Sequence, residues 1–278
     1  MLSLNLRFIL ILAIAAFCAS SQLAAHAADE PVLELVLPNQ QQKLARNNLL
    51  RHPEIRTITI DDDPVYHRSM TYRAIPLKAI VRQVSAIDTL QVVATDGFVA
   101  NIRGELLRAE AEPWIAIEPA NAPWPERKPG SGSAGAFYLV WLHPEKAGIT
   151  SEQWPFQIAS LRNVEALTVR YPQLLPKLAA TDTRYASVQR GLPLFTTHCA
   201  SCHRMNGGGD AAIGPDLNLP ANPTEYFQES WLRKLIRDPA SVRHWAQSSV
   251  PGFSEKTLNE DELDDLLAYL QQMAQQRH

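Results

Sequence analysis

The sequence predicts two domains of different class: an α+β domain over residues 28–178 and an all-α domain over residues 179–278, behind an N-terminal leader at 1–27. Three observations predict this. Between residues 30 and 178 the apolar residues come in short β-branched or aromatic runs of strand length. In the last part of the chain they recur at three- and four-residue spacing, the helical period. Between the two patterns, residues 179–183 are a small-residue break, which is where the boundary is placed.

The leader has one basic residue, Arg7, then an apolar stretch over 8–19 that is too short to span a bilayer. Ala25-His26-Ala27 supplies small residues in the A-x-A arrangement of a cleavage site, and Asp29 and Glu30 follow. It reads as a signal peptide removed after Ala27, with an uncleaved anchor as the alternative. The expected location is periplasmic. Cleavage removes Cys18, His26 and Arg7. The formal net charge of -3 then becomes -4, because Arg7 is the one charged residue lost. Mild acidity argues against a nucleic-acid partner. No repeat, heptad pattern or low-complexity tract stands out, and the length suits two modest domains.

In the first domain, strands are expected at 57–60, 90–94, 114–117, 137–141 and 164–169, and short helices at 76–84 and 104–109. Strand and helix intermixed in this way give the α+β class. Residues 119–136 are rich in Pro, Gly and Ser and form a long loop. Trp114, Trp124, Trp141 and Trp154 are expected to build the core or the base of that loop. Asp61-Asp62-Asp63 before Pro64 reads as a solvated turn. His52, His67 and His143 are scattered singly, the pattern of surface or hydrogen-bonded histidines and not of a metal site.

In the second domain, a helix is expected from about Asp182, capped by Thr181 or Thr183, running through Gly191 and Phe195 to Cys199. A second helical stretch lies around 226–237. The last helix is the clearest: Asn259 and Glu262 form a capping box, and Leu263, Leu266, Leu267, Leu270 and Met273 mark one buried face.

Between the first two helices stands Cys199-Ala200-Ser201-Cys202-His203, a C-x-x-C-H run. Two thiols on one helical turn can each form a thioether with a haem vinyl group, and the histidine beside them can ligate the iron. A zinc site would want further ligands, usually a second Cys/His pair, but Cys199 and Cys202 are the only cysteines left after cleavage. A redox dithiol would sit beside a βαβ pattern, which is absent. The expectation is one covalent haem c, held by Cys199 and Cys202, with His203 as the proximal iron ligand.

The residues around that run extend the reading. Gly191 and Phe195 precede it, Asn206-Gly207-Gly208-Gly209 and Gly214-Pro215-Asp216-Leu217 follow, and the final helix carries Ala268-Tyr269-Leu270. In this order the segment from about 179 to the end resembles a class I cytochrome c. The resemblance implies that Gly191 lets the first helix cross the last near Tyr269. It also implies that the Pro215 carbonyl accepts the second ring proton of His203. One position departs from the pattern. Where such domains place a distal methionine before proline, this chain has Val250-Pro251. Met205 lies on the proximal side, Met273 belongs to the buried stripe and Met70 to the other domain. His244 is the nearest candidate distal ligand, and its plainer reading is a surface histidine beside Trp245.

The first domain resembles the sulfite-oxidase-type molybdopterin fold. Tyr72-Arg73-Ala74-Ile75-Pro76-Leu77 before a short helix, Val93-Ala94-Thr95-Asp96-Gly97-Phe98 between strands, a late apolar strand, Trp154 and a closing strand carry the likeness. That family holds its metal partly through a cysteine thiolate. No cysteine lies between Cys18 and Cys199, so no molybdenum cofactor is expected and the domain is read as a binding or docking body.

The expected function is an exported mono-haem cytochrome that carries single electrons to or from a periplasmic or membrane-bound oxidoreductase. It is an electron carrier more than a catalyst. The alternative is a haem-based ligand binder, sensor or small-molecule enzyme with an open distal position.

Overall fold

A computed structural model of the chain describes residues 30–243 and 251–277. Val32–His278 form one compact unit, a β-rich region followed by a helical one.

The β-rich region contains β1 (Val32–Leu37), β2 (Gln40–Ala45), α1 (Arg46–Leu49), β3 (Arg56–Asp63), β4 (Arg68–Pro76), α2 (Leu77–Ile80), β5 (Thr89–Ala94), β6 (Val99–Arg103), α3 (Gly104–Arg108), β7 (Pro113–Ile117), β8 (Phe137–Trp141) and β9 (Ile158–Val164). The strands form two sheets. One has the order β2-β1-β9-β5-β6, with β1 and β9 parallel, and the other is β3-β4-β7-β8. Side chains of both sheets meet in one apolar core that includes Leu33, Leu35, Ile75, Leu90, Ile115 and Trp141. Along β4, Met70, Tyr72 and Ala74 point inward while Thr71 and Arg73 point out, the period-two pattern of a half-buried strand. All five residues of β8 are buried, as a continuous apolar run requires.

Trp141 and Trp154 lie in that core, and Trp114 and Trp124 pack against it. The strands expected at 57–60, 90–94, 114–117 and 137–141 form, each extended by a few residues or matched. Three expectations change. The helix expected over 76–84 forms only as Leu77–Ile80, because β4 runs through Pro76 and Val81 is already extended. The closing strand is Ile158–Val164, and α4 (Leu167–Arg170) follows it, where a strand over 164–169 was expected. The β-branched residues of 164–169 mimicked a strand, but Leu167 turns into the helical core and pulls the chain out of the sheet. The acidic run is also not simply solvated. Asp61 and Asp62 are exposed, but Asp63 is fully buried, accepting hydrogen bonds from the Val65 and Tyr66 amides at 2.9 Å and from the Tyr72 hydroxyl at 2.7 Å. Four partners including Tyr138 satisfy the carboxylate, which makes its burial tolerable.

The helical region contains α5 (Tyr185–His198), α6 (Pro223–Tyr226), α7 (Glu229–Arg237), α8 (Pro239–Val242) and α9 (Glu260–Ala274). Neither Thr181 nor Thr183 caps α5. Its N-cap is Arg184, whose amide donates to Asp182 Oδ1 at 2.8 Å, so the aspartate takes the turn that the threonines were expected to hold. The capping box of α9 forms as expected: Glu262 N donates to Asn259 Oδ1 at 2.9 Å and Asn259 N to Glu262 Oε2 at 2.8 Å. The α9 stripe of Leu263, Leu266, Leu267, Leu270 and Met273 packs with Phe195, and Leu167 and Leu174 from the preceding segment join this second core.

Candidate haem-binding site

α5 delivers the C-x-x-C-H run. Its capping residue is Cys199, whose amide donates to Phe195 O at 2.9 Å, and the chain then continues in one tight turn. Cys202 N and His203 N both donate to Cys199 O, at 3.1 and 2.8 Å. The turn therefore brings both thiols and the imidazole together. Neither cysteine is in a disulfide. Burial pushes both thiols up, Cys199 to about 12 and Cys202 to about 11, with Glu152 adding to both. Both stay protonated at neutral pH, which disfavours thiolate chemistry between them.

The loop at 212–217 fixes the histidine. His203 Nδ1 lies 2.8 Å from Pro215 O. A carbonyl only accepts, so Nδ1 carries the proton and Nε2 keeps its lone pair. Burial also holds the His203 pKa below its ordinary value, which favours the neutral ring a metal needs. Gly214 makes this approach possible: a Cβ there would lie 2.5 Å from His203 Nδ1. Gly214 N donates to Cys202 O at 2.8 Å, tying the two loops together. Two unpaired thiols, an oriented neutral imidazole and a glycine against its ring suit a haem attached through two thioethers.

The structure brings together Cys199, Cys202, His203 and Pro215. Met205 is fully buried, its amide bonded to Gly208 O at 2.9 Å, and Met273 is buried on α9. His244 and Val250 lie outside the described residues. Phe253, just beyond Val250-Pro251-Gly252, is described: its amide donates to Ile236 O at 3.0 Å, and its ring stands edge-on to His198 at 5.4 Å. Among the described residues no group of three or more His, Cys, Asp or Glu is arranged to hold a metal ion.

The β-rich region meets this turn directly. Val99 N donates to Ser201 O at 3.1 Å, between the two cysteines. Beside it, Asp210 accepts Arg170 Nη1 at 2.5 Å and Nη2 at 2.8 Å, Tyr171 OH at 2.9 Å and Asn101 Nδ2 at 3.2 Å. His198, the residue before Cys199, is buried against Glu152, with Nδ1 to Oε2 at 3.2 Å. A cavity of about 140 Å³ with mixed polar and apolar lining opens alongside, bordered among others by Glu152, Asn101, Thr197 and Ser201. Sequence reasoning missed both His198 and Glu152. The position of His198 beside Cys199 was the one available signal.

Helices α5 and α9 crossing at a glycine, a C-x-x-C-H turn at the end of α5 and a Gly-Pro loop under the histidine define a class I cytochrome c domain. Residues 188–274 match the cytochrome c family, and a cytochrome c domain implies haem c. The chain is similar to two proteins described as "Cytochrome bc1 complex cytochrome c subunit". One, from Corynebacterium diphtheriae, is 35% identical over 89 residues, which cover 31% of this chain and 27% of the relative. The other, from Corynebacterium efficiens, is 33% identical over 87 residues, covering 30% and 25%. The chain thus spans about a quarter of the length of the curated relatives it matches.

Proposed function

We propose that this chain is an exported, periplasmic mono-haem cytochrome c that passes single electrons to or from a partner oxidoreductase, with the β-rich region docking the haem domain on that partner. The observation that carries the reading is the orientation of His203 by Pro215 at 2.8 Å, on the same turn as two unpaired cysteines. Haem c bound there supplies reversible one-electron chemistry. Cys199 and Cys202 would anchor the ring, His203 Nε2 would bind the iron, and Pro215 would hold the imidazole plane. The names of the two relatives support an oxidoreductase complex as partner. The contacts of Val99 and Asp210 support a β-rich region that travels with the haem domain as one body. Its likeness to the sulfite-oxidase-type fold, without that fold's cysteine, belongs to the same proposal, as do the cleaved leader and the absence of molybdenum. The test is mass spectrometry of the denatured protein from a host that attaches haem. One haem mass per chain, on the peptide containing Cys199 and Cys202, is expected, and bare chain mass would defeat the reading.

A second reading follows from Val250. Valine cannot ligate iron, so the loop before Pro251 offers no methionine; the sixth position would be filled from elsewhere, by His244 first, or stay open, and an open position would bind small ligands. Carbon monoxide shifting the reduced spectrum of the wild-type protein supports this second reading. An unchanged spectrum supports the electron carrier.

A further inference from the structure

Two contacts from the β-rich region reach the haem-attachment turn and the residue before it: Val99 N to Ser201 O between backbones, and Glu152 to His198 between side chains. Glu152 sits in a short 3₁₀ turn, Ser151–Gln153, of the β-rich region. That turn is held on both sides: Trp141 Nε1 donates to Gln153 O at 2.8 Å, and Thr150 N donates to Gln153 Oε1 at 2.9 Å. The carboxylate accepts Ser151 Oγ at 2.8 Å on one oxygen and faces His198 Nδ1 at 3.2 Å on the other. Both side chains of the pair are only 5% exposed. Burial pushes the Glu152 carboxyl up, but the hydrogen bonds from His198 and Ser151 outweigh it and hold the group below the ordinary range.

His198 is the last residue of α5, and the next is Cys199. The last turn of a helix has unsatisfied carbonyls and frays unless something holds it. Here the Glu152 carboxylate and the edge-on Phe253 ring clasp the imidazole of that turn. Space for a different arrangement exists next to it. The cavity of about 140 Å³ is lined by Glu152, Thr196, Thr197 and Ser201, and the buried Ser201 Oγ makes no hydrogen bond among the described residues. Without the carboxylate, the buried imidazole loses its partner, and the adjoining cavity leaves it room to move.

We propose that Glu152 is a positioning residue of the haem site: through His198 it fixes the direction in which α5 presents Cys199, so the β-rich region sets the haem environment as well as serving as a docking body. The inference rests on haem c being attached at Cys199 and Cys202, as proposed above.

The experiment uses the full chain, expressed with haem attachment, as wild type, Glu152→Ala, Glu152→Gln and Tyr171→Phe. Soret circular dichroism reads the haem setting, spectroelectrochemistry reads the midpoint potential, and urea unfolding reads overall stability. Glu152→Ala is expected to change the Soret dichroism and shift the potential. Glu152→Gln, whose amide oxygen can accept the same imidazole N–H, is expected to restore the wild-type Soret dichroism. Tyr171→Phe loosens only the Asp210 anchor and is expected to lower the urea midpoint while leaving both haem signals in place. Wild-type signals in Glu152→Ala would overturn the proposal, and so would equal changes in the alanine and glutamine variants. Should Glu152→Ala fail to fold, Glu152→Asp withdraws the carboxylate by one methylene and is expected to give the same Soret change; its absence would be equally damaging. A wild-type protein without covalent haem would instead remove the underlying reading.

Discussion

Gly191 and Tyr269 mark the point where α5 crosses α9: a Cβ on residue 191 would lie 2.6 Å from Tyr269 Cβ and would also meet the Asp265 carbonyl oxygen. The same Asp265 accepts Ser187 Oγ at 2.5 Å and Arg190 Nε at 2.6 Å, so backbone approach and side-chain pairing lock one crossing. Gly191→Ala should force the helices apart and destabilise the domain by about 1–3 kcal/mol, the usual range for overpacking. Urea unfolding followed by the Soret band checks this, and an unchanged midpoint would count against the crossing as described.

Gly214→Ala should act on the site and not only on stability. Its Cβ would fall 2.5 Å from His203 Nδ1, so the imidazole must leave Pro215 O or the loop must move. A perturbed Soret band, with a smaller fraction of chains carrying haem, is the expected result in purified protein.

Asp210→Asn tests the anchor between the two regions. Burial pushes the Asp210 carboxyl up, but hydrogen bonds from Arg170, with its charge, and from Tyr171 and Asn101 hold it below the ordinary carboxylate range. A carboxyl with a lowered folded-state pKa stabilises the fold fully above its unfolded pKa, roughly 4, and loses that contribution as pH falls through the folded value. The wild type should therefore keep the anchor at pH 5 to 8 and lose it progressively below about 4. The asparagine variant should lose about 2 kcal/mol at neutral pH, within the range for a hydrogen-bonded charge. Its thermal midpoint should fall less steeply in acid than that of the wild type, which scanning calorimetry across pH can measure.

Asn259→Ala removes an observed capping box at the head of α9 and should cost about 1 kcal/mol. Helicity by far-ultraviolet dichroism should change little while the unfolding midpoint drops.

Val250→Met restores the residue that the class I pattern places before Pro251. It should create the weak near-infrared band of ferric methionine ligation and raise the reduction potential. A wild-type protein that already shows this band, and loses it in Met70→Ala, would mean that a methionine has crossed from the β-rich region.

Much of this was legible in the sequence because it is local. The capping box at Asn259, the five-residue apolar run of β8 and the turn of Cys199 to His203 each lie within a few residues, so spacing alone indicates them. β2 was not legible: Gln40–Ala45 is polar and extends only because β1 pairs with it across a tight turn. The fourth partner of the buried Asp63 carboxylate is Tyr138, far along the chain, whose hydroxyl no local pattern connects to it. The pairing of His198 with Glu152 spans 46 residues and two kinds of structure. Only the fold brings such groups together, and the pairing of His198 with Glu152 joins the helical region to the β-rich one.

The placement of Leu167 and Leu174 has a practical consequence for anyone dividing this chain. Both pack in the helical core, while Leu161, a few residues earlier, belongs to the β core. Tyr269 OH also donates to Leu174 O at 2.9 Å, and Gln272 Nε2 to Lys177 O at 3.0 Å. A haem-domain fragment cut at residue 179 would leave an apolar hollow beside α9 and two polar side chains facing water in place of backbone. One that starts ahead of Leu167 carries its own lining with it.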